Sequence, residues 1–211
     1  VKEEFFTNLV NFKKNKSYPK HSWFDYKHGY AEDLVRALIE RNKPSKKLKV
    51  LDPFCGVGTT NLVSQALGYK SIGFDVSPLA TLAAKTKTYK YSDAELKTIE
   101  FLIKAMSLRK SAKIPDSDLI KKAYTEENLK VLMQIKWFID QIENQKIQDF
   151  FKIAYLSIVE NSSNRKKDGN GLKIVKNRSP IGNIAHIFKA KVQSMYHDLR
   201  ELNLDESVSI F

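Results

Sequence analysis

At 211 residues the chain can bury a sizeable core as one domain with an insertion or as two small domains, and 42% apolar and 11% aromatic residues exclude a disordered polymer. The single cysteine excludes an internal disulfide. The best apolar run, Phe150 to Val159 with Lys152 inside it, is too short to cross a bilayer, and the opening Val1-Lys2-Glu3-Glu4 is no secretory signal, so a cytoplasmic setting without a membrane is expected. A net charge of +12, from 36 basic against 24 acidic residues, favours a polyanionic partner or an anionic surface.

Residues 1–30 mix aromatics with lysines and contain Tyr18-Pro19, which reads as an extended arm. From Ala31 to Asn42, Leu34, Val35, Leu38 and Ile39 fall at helical spacing, and Pro44-Ser45 ends that helix. Lys49-Val50-Leu51 reads as a short buried strand and Ser71 to Phe74 as a second, with a helix from Thr59 to Leu67 between them, closed by Gly68. Strand, glycine turn, helix and strand make a βαβ unit, the building block of a parallel α/β sheet. Beyond Ser92 the pattern changes to amphipathic helices: Asp93 to about Leu108, a break at Pro115-Asp116, then Glu126 to Ile142 and Lys146 to Val159. Their aromatics, Trp137, Phe138, Phe150 and Phe151, are placed to pack helix on helix. A polar, basic stretch from Asn161 to Ser179 precedes a last helix, Ile181 to Glu201, and Ser207 to Phe211 alternates like a strand. The expected divisions are 1–92, an arm with the βαβ unit; 93–160, a helical insertion; 161–201, a basic loop and helix; and 202–211, the start of a further strand.

The chemistry concentrates in Leu51-Asp52-Pro53-Phe54-Cys55-Gly56-Val57-Gly58-Thr59-Thr60. A strand that ends on Asp52 and turns through two glycines into a helix brings backbone close to a ligand and offers it helix N–H groups. Asp75 ends the next strand 17 residues after Gly58, where a carboxylate can accept hydrogen bonds from two ribose hydroxyls. The third glycine of the dinucleotide fingerprint is absent, as is the Gly-Lys-Ser/Thr of a P-loop. The four histidines, His21, His28, His186 and His197, have no metal-ligand spacing with Cys55, so no metal is expected.

The segment Asp52 to Thr60 resembles the Asp-Pro-Phe-x-Gly-x-Gly-Thr-Thr cofactor loop of the amino-group (N6-adenine/N4-cytosine) DNA methyltransferases. Ile72-Gly73-Phe74-Asp75-Val76-Ser77-Pro78 is similar to that family's second cofactor motif. The resemblance implies an α/β, Rossmann-like methyltransferase core, partial and with parallel strands, carrying an α-helical insertion and binding S-adenosylmethionine. It implies a cofactor-binding set in which Asp52, Pro53, Phe54, Cys55, Gly56, Gly58, Thr59 and Thr60 form the loop, with Asp52 and Gly56 to Thr60 lining the methionine portion. Asp75 would bind the ribose, and Val76, Ser77 and Pro78 would flank the adenine. His28 and Tyr30 match, loosely, a His-x-Tyr segment that the family packs against the methionine end. Cys55, inside the cofactor turn, is expected as a small packed residue rather than a nucleophile.

Asn164 to Arg178 holds six basic residues, Arg165, Lys166, Lys167, Lys173, Lys176 and Arg178, against the one acid Asp168. Its Gly and Asn residues make it a flexible or turn-forming loop, suited to following a DNA phosphate backbone. The family's Asp/Asn/Ser-Pro-Pro-aromatic segment, which grips the target amino group, is not among these residues, so no catalytic residue is assigned. The expected function is therefore part, or one subunit, of a DNA methyltransferase acting on adenine or cytosine. DNA and the missing catalytic half, in the same chain or as a separate subunit, are the expected partners, and the chain alone is expected to be inactive. An RNA-base methyltransferase and a non-catalytic, cofactor-binding specificity subunit both remain open.

Overall fold

The computed structural model describes residues 9, 12–26, 29–42, 45, 47, 49–108, 113–168, 171–174, 182–201 and 208–211. They form an α/β protein of two compact units, one of residues 1–92 with 197–211 and one of residues 93–196. Among the described residues no helix is long and apolar enough to cross a membrane.

In the first unit, helix α1 (Glu32–Asn42) leads to strand β1 (Lys49–Asp52), helix α2 (Thr59–Ala66), strand β2 (Lys70–Gly73) and helix α3 (Pro78–Thr88). Strand β5 (Val208–Ile210) completes a three-stranded sheet of order β1-β2-β5. All pairings are parallel, with Asp52 opposite Gly73 and Gly73 opposite Ile210. This is the Rossmann-like, partial parallel core that the resemblance implies. Helix α2 ends as expected: Gly68 takes φ +75° and donates its N–H to the Gln65 carbonyl, and Tyr69 donates to that of Ser64.

Two expectations are corrected in this unit. Strand β1 is not a buried strand: among the described residues it pairs with β2 alone, and Leu51 is 62% exposed. Residues 12–23 are not an extended arm either: two 3-10 turns, Phe12–Ser17 and His21–Trp23, fold them back onto the unit. Contacts of Asp198, Asn15 and His21 hold them there. Asp198 Oδ2 accepts the Lys20 N–H (2.9 Å) and the indole N–H of Trp23 (2.7 Å), whose side chain is fully buried. Asn15 donates to the Tyr30 carbonyl and accepts the Glu32 N–H at the start of α1. His21 Nε2 lies 3.1 Å from Glu32 Oε2. Neither the strand's exposure nor the arm's anchorage can be read from local periodicity, because each is set by partners distant in sequence.

Helix α3 escapes the periodicity reading altogether. It starts on a local signal, the Ser77 side chain accepting the Ala80 N–H with Pro78 in the first turn, and it buries alanines rather than an apolar stripe.

The second unit contains α4 (Asp93–Ala105), α5 (Asp118–Ala123), α6 (Glu126–Asp140), α7 (Gln145–Val159) and most of α8 (Ile184–Glu201). Thr125 and Asn144 cap α6 and α7 through their side chains. Ile99, Leu132, Ile135, Phe150, Phe151 and Phe188 are buried, and the rings of Phe150 and Phe151 meet edge to face at 5.5 Å. Within the basic stretch, β3 (Arg165–Asp168) and β4 (Gly171–Ile174) pair antiparallel, a regular two-stranded ribbon where a flexible or turn-forming loop is expected. Its root is fixed, the Asn164 N–H donating to the Ala123 carbonyl and its side chain to that of Lys122.

Glu32 supplies a test of the arm's anchorage. The His21 hydrogen bond, above all, holds its carboxyl down to about 2; burial opposes this, and the Arg36 guanidinium at 2.6 Å reinforces it. A depressed folded-state pKa stabilises above the unfolded value of about 4.3 and is lost as pH falls toward the folded one. In urea unfolding, the stability difference between this chain and Glu32→Gln should therefore hold steady above about pH 5 and shrink between about pH 4 and pH 2. A difference independent of pH across that window would contradict the assignment.

Candidate cofactor site at the ends of the parallel strands

Past the end of β1 the chain still pairs with its neighbour. Phe74 donates its N–H to the Asp52 carbonyl (3.0 Å), and Cys55 donates to that of Phe74 (2.8 Å). The turn then reverses on two residues in the left-handed region, Gly56 (φ +51°) and Gly58 (φ +79°). Glycine is required twice over at position 58, because a Cβ there would lie 2.8 Å from the Cβ of Ala84 on α3. The alanine face of α3 and the glycine of the loop are thus one packing solution.

Two carboxylates organise this turn. Asp52 Oδ1 accepts the Phe54 N–H (3.1 Å), and Asp52 Oδ2 accepts the Tyr30 hydroxyl (2.7 Å), which also touches the Thr60 hydroxyl in a short contact. Burial first, with the Asp52 charge adding to it, pushes the Tyr30 phenol well above its ordinary range, so it stays a donor. Asp75 Oδ2 accepts the Gly56 N–H (2.9 Å), and Asp75 Oδ1 accepts the Ser77 N–H (2.8 Å). An ionised carboxylate has about four acceptor positions, so two backbone bonds leave roughly two on Asp75 for a ligand.

The surroundings are apolar and open. Phe54 is 84% exposed, Val76 is fully exposed, and Phe74 stacks on Phe211 at 5.4 Å. Cys55, by contrast, is buried against Ala84 and Ile210, and burial together with the Asp52 and Asp75 charges pushes its thiol up to about 11. It is a protonated packing residue in the turn, as its place in the sequence suggested.

The sequence-predicted set thus divides. Asp52, Pro53, Phe54, Cys55, Gly56, Gly58, Thr59, Thr60, Asp75, Val76, Ser77 and Pro78 all lie on the turn, the strand ends or the starts of α2 and α3, and Tyr30, just before α1, reaches them through its hydroxyl. Tyr30 acts through Asp52 and Thr60, Ser77 is occupied in capping α3, and Thr59 is buried as the first residue of α2. His28 lies outside the described residues. Of the basic set, Arg165, Lys166 and Lys167 form β3 and Lys173 lies in β4, while Lys176 and Arg178 lie outside the described residues. Sequence reasoning missed Tyr26, whose ring would lie 3.3 Å from a Cβ at Gly56, and Phe211. Its apolar alternation marked Phe211 for a strand but not for an exposed aromatic stack.

The family model described as DNA methylase, of the N6/N4 class, matches residues 2–86, the span that holds the arm, the glycine turn and Asp75. The chain is 33% identical over 175 residues to the Type II methyltransferase M.BsoBI of Geobacillus stearothermophilus, which covers 81% of this chain and 34% of that protein. It is 27% identical over 179 residues to M.AvaI of a Nostoc strain (81% of this chain, 36% of the relative) and 29% identical over 141 residues to M.MvaI of Kocuria varians (62% and 31%). The chain therefore spans about a third of the length of these curated relatives. No solved structure matches it. Together the motif, the parallel core and these relatives support the N6/N4, amino-group DNA methylase family, whose model matches residues 2–86.

Proposed function

We propose that the first unit is the S-adenosylmethionine-binding part of a methyltransferase that modifies the exocyclic amino group of adenine or cytosine in DNA. The observation that carries this reading is the pair Asp52 and Asp75 at the carboxyl ends of adjacent parallel strands, on either side of a left-handed glycine turn. The residues fit the cofactor. Asp75 retains acceptor capacity for vicinal hydroxyls, Phe54 and Val76 offer exposed apolar surface to a purine, and two carboxylates complement a cationic sulfonium.

When bound, the cofactor supplies a methyl carbon made electrophilic by its sulfonium. The chain's own contribution is positional: Tyr30 orients Asp52, Asp75 sets the Gly56 amide, and the exposed Phe54 and Val76 offer apolar surface for a bound ligand to cover. The base-gripping Pro-Pro-aromatic segment is not among the 211 residues. On this reading it comes from the remainder of a longer protein or from a second subunit, and these residues alone bind the donor without turning over.

The DNA-contacting part is assigned to the ribbon. Arg165, Lys166 and Lys167 stand in β3 and Lys173 in β4, so the two paired strands gather basic residues that suit a polyanion. A two-stranded antiparallel ribbon is also a shape that the major groove of duplex DNA admits.

Calorimetry tests the first assignment. S-adenosylmethionine should bind, and Asp75→Ala should weaken binding by about tenfold or more, roughly 1.4 kcal/mol; binding of a nicotinamide dinucleotide with no response to S-adenosylmethionine would overturn it. The ribbon assignment is read from salt dependence. Neutralising Arg165, Lys166, Lys167, Lys173, Lys176 and Arg178 together should lower the slope of log affinity for mixed-sequence DNA against log salt, by roughly one unit for each phosphate no longer neutralised. An unchanged slope returns the ribbon to a solvated surface.

A further inference from the structure

The peptide groups of Tyr30, Ala31 and Glu32, which lead into α1, are tied to the arm within the first unit. Asn15 holds them with both atoms of its side-chain amide. Its Nδ2 donates to the Tyr30 carbonyl at 2.9 Å, and its Oδ1 accepts the Glu32 N–H at 2.8 Å. Between these two bonds the Ala31 N–H donates to the Leu9 carbonyl at 3.2 Å. The arm is fastened to the first turn of α1 as well, where Asp33 accepts from Lys14 (3.1 Å) and from the Tyr18 hydroxyl (3.0 Å).

The side chain of Tyr30 carries this anchorage to the glycine turn. Its hydroxyl proton goes to Asp52 Oδ2, so the contact with Thr60 is made by the Thr60 hydroxyl donating in return. Tyr30 thus grips the last residue of β1 and the first turn of α2, the two elements that flank the turn. A phenol ring is stiff, so the place of its hydroxyl follows from where the backbone of residue 30 is held. One hydrogen bond would let that backbone pivot. The forked hold of Asn15, on the carbonyl of Tyr30 and the N–H of Glu32, does not, and Asn15 is itself only 9% exposed.

We infer that Asn15 is a positioning residue of the cofactor site, acting through Tyr30 on Asp52 from outside the motif, an assignment that rests on the cofactor reading above. The placement of the arm and the affinity for the cofactor are then one coupled equilibrium, and the coupling runs equally in both directions.

Calorimetry with S-adenosylmethionine on the 211-residue chain tests this as a double-mutant cycle. Asn15→Ala should weaken binding by about threefold or more, the scale of one hydrogen bond. Tyr30→Phe keeps the ring and removes the hydroxyl. In that background Asn15→Ala should change the affinity by less than about 1.5-fold, because the link it feeds is already cut. Equal losses in both backgrounds would make Asn15 a support of the fold or a direct ligand contact and overturn the inference, as would no loss in the unmodified background.

Hydrogen exchange reads the same coupling with Asn15 left in place. Saturating S-adenosylmethionine should slow exchange of the Glu32 amide, and in Tyr30→Phe that slowing should vanish while the Gly56 amide is still protected. Slowing at Glu32 that survives Tyr30→Phe would contradict the inference. So would an unmodified chain in which the ligand protects Gly56 and leaves Glu32 unchanged, a comparison that needs no variant to fold. Failure of the unmodified chain to bind S-adenosylmethionine would instead remove the cofactor reading on which the inference stands.

Discussion

The Asp75 carboxylate fastens three parts of the fold at one point. Through Oδ2 it holds the Gly56 N–H in the middle of the turn, through Oδ1 it holds the Ser77 N–H at the entry to α3, and it sits at the end of β2, in the centre of the sheet. Gly56 keeps its left-handed backbone within that grip, and α3 leaves the sheet at a point that brings Ala84 against Gly58. A turn held in this way has its ligand-facing shape before any ligand arrives, and so loses little ordering entropy on binding.

Asp52 repeats the arrangement on the neighbouring strand, but with its second oxygen given to Tyr30. That hydrogen bond extends the site's support outward, since Asn15 binds the Tyr30 carbonyl and the 3-10 turns carry Asn15. The arm in turn is pinned by Asp198 from the far end of the sequence. A path of direct hydrogen bonds thus runs from Asn15 to the cofactor turn, while the fold closes through a pairing 178 residues apart in the chain.

What is legible in the sequence follows from which interactions are local. The β1–turn–α2–β2 unit is legible because Asp52, the two glycines, Gly68 and Asp75 each encode a local backbone event. Helix α3 is not, because its Ala-Thr-Lys composition gives a weak apolar stripe; Ser77-Pro78 is the available signal. The arm and the exposure of β1 depend on tertiary partners that no window of residues contains. The ribbon reads as a flexible or turn-forming loop because its Gly and Asn residues are poor strand formers, and the pairing of Arg165–Asp168 with Gly171–Ile174 overrides that preference. In the candidate site, the motif locates Asp52 and Asp75, whereas the support that Tyr30 gives Asp52 is a contact between distant residues that the loose His28-x-Tyr30 match only hints at.

The net charge of +12 is not spread evenly over these tasks: the turn carries carboxylates suited to a cationic donor, and the ribbon concentrates lysine and arginine suited to a polyanion. Both halves of that division rest on the turn being a nucleoside site, and a crystal structure of the chain with S-adenosylhomocysteine tests it most directly. The ribose hydroxyls are expected on Asp75, with the Gly56 and Ser77 amides still bound to the same carboxylate. A ligand seated away from Asp75 and the glycine turn would contradict it.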